Sequence, residues 1–141
     1  MIHLPGWIDW ERWVGVIQLK GITIDRPQLS VHPSYPDIIY PIDYGFINET
    51  MSVDQEEQDI FVGSAENGLI AAIFTTDRRK GDRECKLIYN CSPAEIYMVN
   101  GFVNFAPDLM SGQLLLRYNM KELWYCHMGE SHRTFKPIDL D

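Results

Sequence analysis

Residues 86–95, Lys86-Leu87-Ile88-Tyr89-Asn90-Cys91-Ser92-Pro93-Ala94-Glu95, are where the chain changes character. Lys86 to Tyr89 is a short apolar run of strand type. Ser92 is a good helix cap, Pro93 follows at the first helical position, and Glu95 completes a capping-box pattern. A helix from Pro93 to about Phe105 follows from that signal, stopped by Pro107. Upstream the apolar runs are short. Leu69 to Thr75, Asp59-Ile60-Phe61-Val62 and Tyr44-Gly45-Phe46-Ile47 read as strands. Val14 to Leu19 and Gly21 to Asp25 flank Lys20-Gly21 and read as a hairpin. Downstream, Leu109 to Trp124 has apolar residues at helical spacing, weakened by Gly112, and Gly129 to Asp141 is polar. Strands first and helices last is the order of an α+β domain, here expected as a barrel with helices outside it.

Between these elements lie irregular stretches. Arg26 to Pro41 carries Pro27, Pro33, Pro36 and Pro41, so it is expected to be extended rather than helical. Asp54 to Gln58 and Asp77 to Glu84 are charged loops. Trp7, Trp10 and Trp13 recur every three residues near the N-terminus, which places them on one helical face as core or subunit contact.

With 141 residues, 45% of them hydrophobic, the chain suits one domain, taken as 1–141, with a core that needs no disulfide. Twenty acidic against twelve basic residues give a net charge of -8, which argues against a nucleic-acid partner. The three cysteines, Cys85, Cys91 and Cys126, have neither zinc nor redox spacing and read as free thiols of a reducing compartment. The four histidines are scattered, with no metal-ligand spacing. No long apolar run marks a membrane span or a signal peptide, so the expected location is the cytoplasm.

The acids suggest chemistry. Magnesium takes hard oxygen ligands and keeps several waters, so carboxylates from separate loops can hold such ions against a phosphate group. A further carboxylate can accept the proton of the attacking water. Taken one at a time, Asp54 to Asp59 and Asp77 to Asp82 read equally well as solvated turns of an acidic protein.

The elements in their order are more specific. Tyr40-Pro41-Ile42-Asp43-Tyr44-Gly45-Phe46-Ile47 resembles the Y-P-x-N-Y-G-[FY]-I element of soluble inorganic pyrophosphatases. Asp54-x-Glu56-x-x-Asp59-Ile60 resembles that family's D-G-D-P-x-D-V signature. Asp77 and Asp82 resemble its later pair of acids, and Ile24-Asp25-Arg26 resembles its V-D-R. The resemblance spans roughly residues 14–90. It implies a small five-stranded OB-like barrel with C-terminal helices outside. It also implies a site in which Asp54, Asp59, Asp77 and Asp82 hold Mg²⁺, Glu56 takes the proton of the nucleophilic water, and Arg26, Tyr44 and Lys86 bind phosphate. The activity implied is hydrolysis of pyrophosphate to two phosphates, in a family where homo-oligomers are common. Gly45 would supply a tight backbone position.

The chain departs from that pattern at several points. Glu56 stands for an aspartate, Gln55 for a glycine, Glu57 for a proline and Asp43 for an asparagine. The longer arm of Glu56 moves its carboxylate by about 1 Å, a displacement that can change a rate by about 100-fold. Lys86 falls two residues late relative to the second acid of the later pair. Tyr118 with Lys121, or Tyr125, are the candidates for the family's C-terminal Tyr-Lys pair. Hydrolysis of another phosphoanhydride, such as a nucleotide or polyphosphate, and a non-catalytic binding or structural module of the same fold are the alternatives.

Overall fold

The computed structural model describes residues 7–51, 56–127 and 138. The expectations for Asp54 and for nearly all of Gly129 to Asp141 lie outside the described residues.

Helix α1 (Trp10–Lys20) is capped by Asp9, whose side chain accepts from the Arg12 amide, and ends at Gly21 with φ of 76°. The expected hairpin at Val14 to Leu19 is therefore helix. Trp10, Trp13, Val14 and Ile17 form an apolar stripe at three- and four-residue spacing, and packing that stripe outweighs the strand preference of the β-branched residues. Gly21 is the helix stop rather than a hairpin turn. Trp7, ahead of the helix, is exposed, so only Trp10 and Trp13 of the tryptophan stripe reach the core.

Six strands follow: β1 (Ile22–Arg26), β2 (Asp43–Ile47), β3 (Asp59–Val62), β4 (Leu69–Asp77), β5 (Asp82–Tyr89) and β6 (Met110–Leu116). They form one sheet in the order β1-β2-β3-β5-β4-β6, with β3 and β5 parallel and the other pairs antiparallel. Helix α2 (Pro93–Asn104) lies between β5 and β6 in the chain, and α3 (Met120–His127) follows β6.

The mixed α+β class is as expected, but the closed five-stranded barrel is not. The sheet is open, with β1 and β6 at its ends. Its sixth strand, β6, comes from the segment whose spacing suggested a helix. Along it Leu114 and Leu116 face one core cluster and Leu115 the other, so the period is two. Residues Val14 to Leu19, read as strand, are the helix that covers one face instead.

The two faces of the sheet carry two cores. One contains Phe61, Ile73, Ile88, Ile96 and Val99, under α2 and α3. The other contains Ile17, Ile47, Ile60, Phe74 and Leu87, under α1. Helix α2 begins with the full capping box: Ser92 Oγ accepts from the Glu95 amide and Glu95 accepts from the Ser92 amide. Asp77 to Glu84, expected as a loop, is mostly hairpin; strands β4 and β5 run up to Asp77 and from Asp82, and only residues 78–81 turn.

The proline-rich stretch is a small ordered flap. The Leu29 amide donates to the Tyr40 carbonyl and the Tyr40 amide to the Ser30 carbonyl, while Val31 bridges Ile39. No described helix is long and apolar enough to cross a membrane.

Candidate functional site

Strand periodicity assembles the site. Asp59 and Phe61 alternate with Ile60, so both project from the face of β3 that α2 covers. Glu84, Lys86 and Ile88 do the same on β5. Because β3 and β5 pair in parallel, with Ile60 opposite Leu87, the two sets lie side by side. On the other flank Tyr44 of β2 stands opposite Phe61, their rings 4.7 Å apart. Tyr40, from the base of the flap, stacks on Tyr44 at 5.3 Å, and Phe102 of α2 closes on Tyr40 at 5.2 Å.

These groups border a cleft of about 570 Å³ between the flap, the sheet and α2. At its floor lies Lys86, 8% exposed. Its ammonium donates to Tyr44 Oη (2.7 Å), Asp59 Oδ2 (2.9 Å) and Glu84 Oε2 (2.9 Å). An ammonium has three N–H donors, so all are committed. Burial alone would lower the affinity of Lys86 for its proton, but Tyr44, Asp59 and Glu84 reverse that and hold it well above the usual lysine range. Burial would raise the Glu84 carboxyl, yet Lys86 and a hydrogen bond with Glu56 hold it below the usual range. Burial, helped by a hydrogen bond to Asp59, pushes the Tyr44 hydroxyl far up, so it stays protonated at neutral pH with its proton directed at Asp59.

Cations gather on the opposite wall. Arg26 Nη1 donates to Tyr40 Oη at 2.6 Å. Its other N–H groups have no partner among the described residues. Arg79 grips Asp77 with two parallel bonds, Nε to Oδ1 (3.2 Å) and Nη2 to Oδ2 (3.0 Å), and lies over the Tyr35 ring at 4.5 Å. The amides of Arg79 and Lys80 also donate to Asp77 Oδ1. His32 lines the same wall, with Nδ1 accepting from the Ser34 amide. Burial, then the charges of Arg26, Arg79 and Lys80, keep its ring more readily neutral than an ordinary histidine.

Of the residues singled out in the sequence, Arg26, Tyr44, Glu56, Asp59, Asp77 and Lys86 all border this cleft. Asp82 does not: it stands opposite Asp77 across the hairpin, and its buried Oδ1 has no hydrogen-bond partner among the described residues. Tyr118, Lys121 and Tyr125 are not part of the cleft either. Asp43 is turned to the flap, where it accepts from the Gln28 amide. Gly45 is tight as expected: a Cβ there would land on the Thr23 carbonyl oxygen and within 2.8 Å of Ile24 Cα.

Glu84 was not singled out, although a signal for it existed. It lies two residues before Lys86 on the same strand face. Taking Glu84 in place of Asp82 as the partner acid also removes the two-residue offset of Lys86. Arg79, Lys80 and His32 had no such signal, because only the fold of the flap and the turn brings them to the cleft.

Resident Mg²⁺ does not fit the three of its assigned acids that are described. Asp77 has both oxygens engaged by Arg79, Asp82 lies outside the cleft, and Asp59 is bound to Lys86. Among the described residues no group of three or more acidic, histidine or cysteine side chains is arranged to hold a metal ion. Cys85 is half-buried and Cys91 buried; burial pushes the Cys85 thiol up to about 12 and raises that of Cys91, so both stay protonated.

No protein-family model matches the chain, and no curated protein matches it in sequence. Two solved structures are similar to it. An inorganic phosphatase from Anaplasma phagocytophilum is 15% identical over 67% of this chain and 82% of its own, with a TM-score of 0.45. An inorganic pyrophosphatase from Helicobacter pylori is 13% identical over 77% of this chain and 92% of its own, with a TM-score of 0.42. Likeness at that level leaves the chemistry of this chain to be read from its own cleft.

Proposed function

We propose that the protein hydrolyses a phosphoanhydride, inorganic pyrophosphate foremost, in the cleft between the flap and the sheet. The observation that supports this is convergence. Arg26, Tyr44, Glu56, Asp59 and Lys86, drawn from four separate stretches of chain, border one cleft. Arg26 offers its remaining N–H groups to phosphate oxygens, a role its planar fork suits. Tyr44, accepting from Lys86, turns its hydroxyl proton from Asp59 to another. Glu56, once ionised, takes the proton of a water that attacks phosphorus. The P–O–P bond breaks and the second phosphate leaves as the anion. Mg²⁺ enters as part of the substrate, as magnesium pyrophosphate. No step passes through a resident ion.

The test is phosphate release from pyrophosphate at millimolar Mg²⁺. Arg26→Ala is expected to weaken substrate binding by about tenfold to 100-fold, the worth of a charge-assisted contact. Asp59→Asn is expected to lower turnover by about 100-fold, because it loosens Lys86 and Tyr44 together. A folded wild type that binds pyrophosphate in a calorimeter but releases no phosphate would point to the second reading, an anion-binding module. The closure of Asp77 by Arg79 and of Asp59 by Lys86 is the feature that favours that reading. Self-association is a further proposal, read by sedimentation at several concentrations; a mass that stays at one chain counts against it.

A further inference from the structure

Asp59, Glu84 and Glu56 present a carboxylate cluster to the cleft, and the same three side chains also line a second hollow, of about 850 Å³, on their far side. Acids pooled between two cavities repel one another and draw in a cation. Here a cation is already present. The Lys86 ammonium lies 2.9 Å from one oxygen of Asp59 and 2.9 Å from one oxygen of Glu84, with Tyr44 Oη as its third acceptor. Glu56 joins through its hydrogen bond with Glu84. The Lys86 side chain is 10% exposed, against 29% for Asp59 and 23% for Glu84, so the charge is the most deeply set member of the cluster.

We propose that Lys86 is a tethered resident cation that sits between these carboxylates and keeps them from loading a divalent ion on their own. The cluster's pooled charge is partly offset by a side chain that cannot dissociate. A divalent ion approaching Asp59 and Glu84 meets the ammonium at hydrogen-bond distance from the same oxygens, and like charges at that separation repel strongly away from bulk water. The inference concerns the same cleft but does not depend on hydrolysis taking place there.

The test is a Mn²⁺ titration of the full chain followed by the electron paramagnetic resonance of free Mn²⁺, without substrate. Wild type is compared with Lys86→Met, which keeps the length of the side chain and removes its charge. Wild type is expected to leave Mn²⁺ free into the millimolar range. Lys86→Met is expected to bind one ion about tenfold more tightly or better, and adding Glu84→Gln is expected to reverse the gain. Micromolar binding by wild type, or a Lys86→Met affinity no better than wild type, overturns the proposal. If Lys86→Met does not give folded protein by circular dichroism, Lys86→Gln is read by the same rule. Phosphate release in the same preparations separates this inference from the hydrolase reading. Metal gain without turnover in wild type keeps the tethered cation and sinks the hydrolase, and turnover with no metal gain does the reverse.

Discussion

Gly45 is the described glycine with the least room for a side chain. Strand β1 carries an irregularity between Ile24 and Arg26, and there its backbone presses against β2, leaving no room for a Cβ. The obstacle is backbone on the neighbouring strand, which cannot rotate away. Gly45→Ala is expected to cost about 1–3 kcal/mol by overpacking, read as a lower urea midpoint with an unchanged slope. It should also disturb the cleft, since Tyr44 is its chain neighbour. Arg79 and Asp77 show a different constraint. The pair is joined through both carboxylate oxygens with Asp77 5% exposed, so removing either partner strands a charge. Arg79→Met should therefore destabilise the protein more than removal of an exposed arginine such as Arg83, the comparison being made by thermal melting.

At the scale of elements, two features decide how α2 sits. Its N-terminus is held by the reciprocal bonds of Ser92 and Glu95, and Glu95 also accepts from Ser64. Ser92→Ala removes an acceptor from a nearly buried cap and is expected to cost about 1 kcal/mol in urea denaturation. Its far end lies over Gly112 of β6. A Cβ there would come within 2.6 Å of Val103 Cγ1 and 2.9 Å of Ile73. Gly112→Val should lift that end of the helix, along with Phe102, off the cleft wall. The expected outcome is lower stability together with weaker pyrophosphate binding, and a variant that loses neither would refute the packing argument. The glycine that counted against a helix in the sequence is the residue that lets a helix lie on a strand.

For the whole molecule, the charges that face the cleft set the response to pH. Glu84 and Asp77 sit below their ordinary values of 4.5 and 3.8, so the stability they contribute is complete above those values and is lost as pH falls through the folded ones. Lys86 sits above its ordinary 10.5, so its contribution is complete below that value and is lost only as pH rises through the folded one. Stability from these groups should thus be flat between about pH 5 and pH 10 and fall toward acid. Urea midpoints at pH 7 and pH 3 are expected to differ, and Asp77→Asn should narrow the difference. A midpoint that rises toward pH 3 would contradict the ion-pair assignments.

By itself the sequence determined the elements whose signals are local. The Ser92 capping box set the start of α2, the apolar runs marked β2 to β5, and the family-like motifs singled out Arg26, Tyr44, Asp59 and Lys86, which the fold brings to one cleft. Each of those signals lies within a few residues of chain. Tertiary structure decided the rest. Val14 to Leu19 became helix because its stripe had a sheet face to cover, and Met110 to Leu116 became strand because β4 had an unpaired edge to offer. Glu84 replaced Asp82 as the partner of Lys86 because the period-two face of β5, paired beside β3, carries one and not the other. Asp77, expected as a metal ligand, is bound instead by Arg79, two residues away, through a turn whose shape spacing alone does not reveal. The ammonium at the centre of the carboxylates is likewise a product of strand pairing, since Asp59 and Lys86 meet across 27 residues of chain.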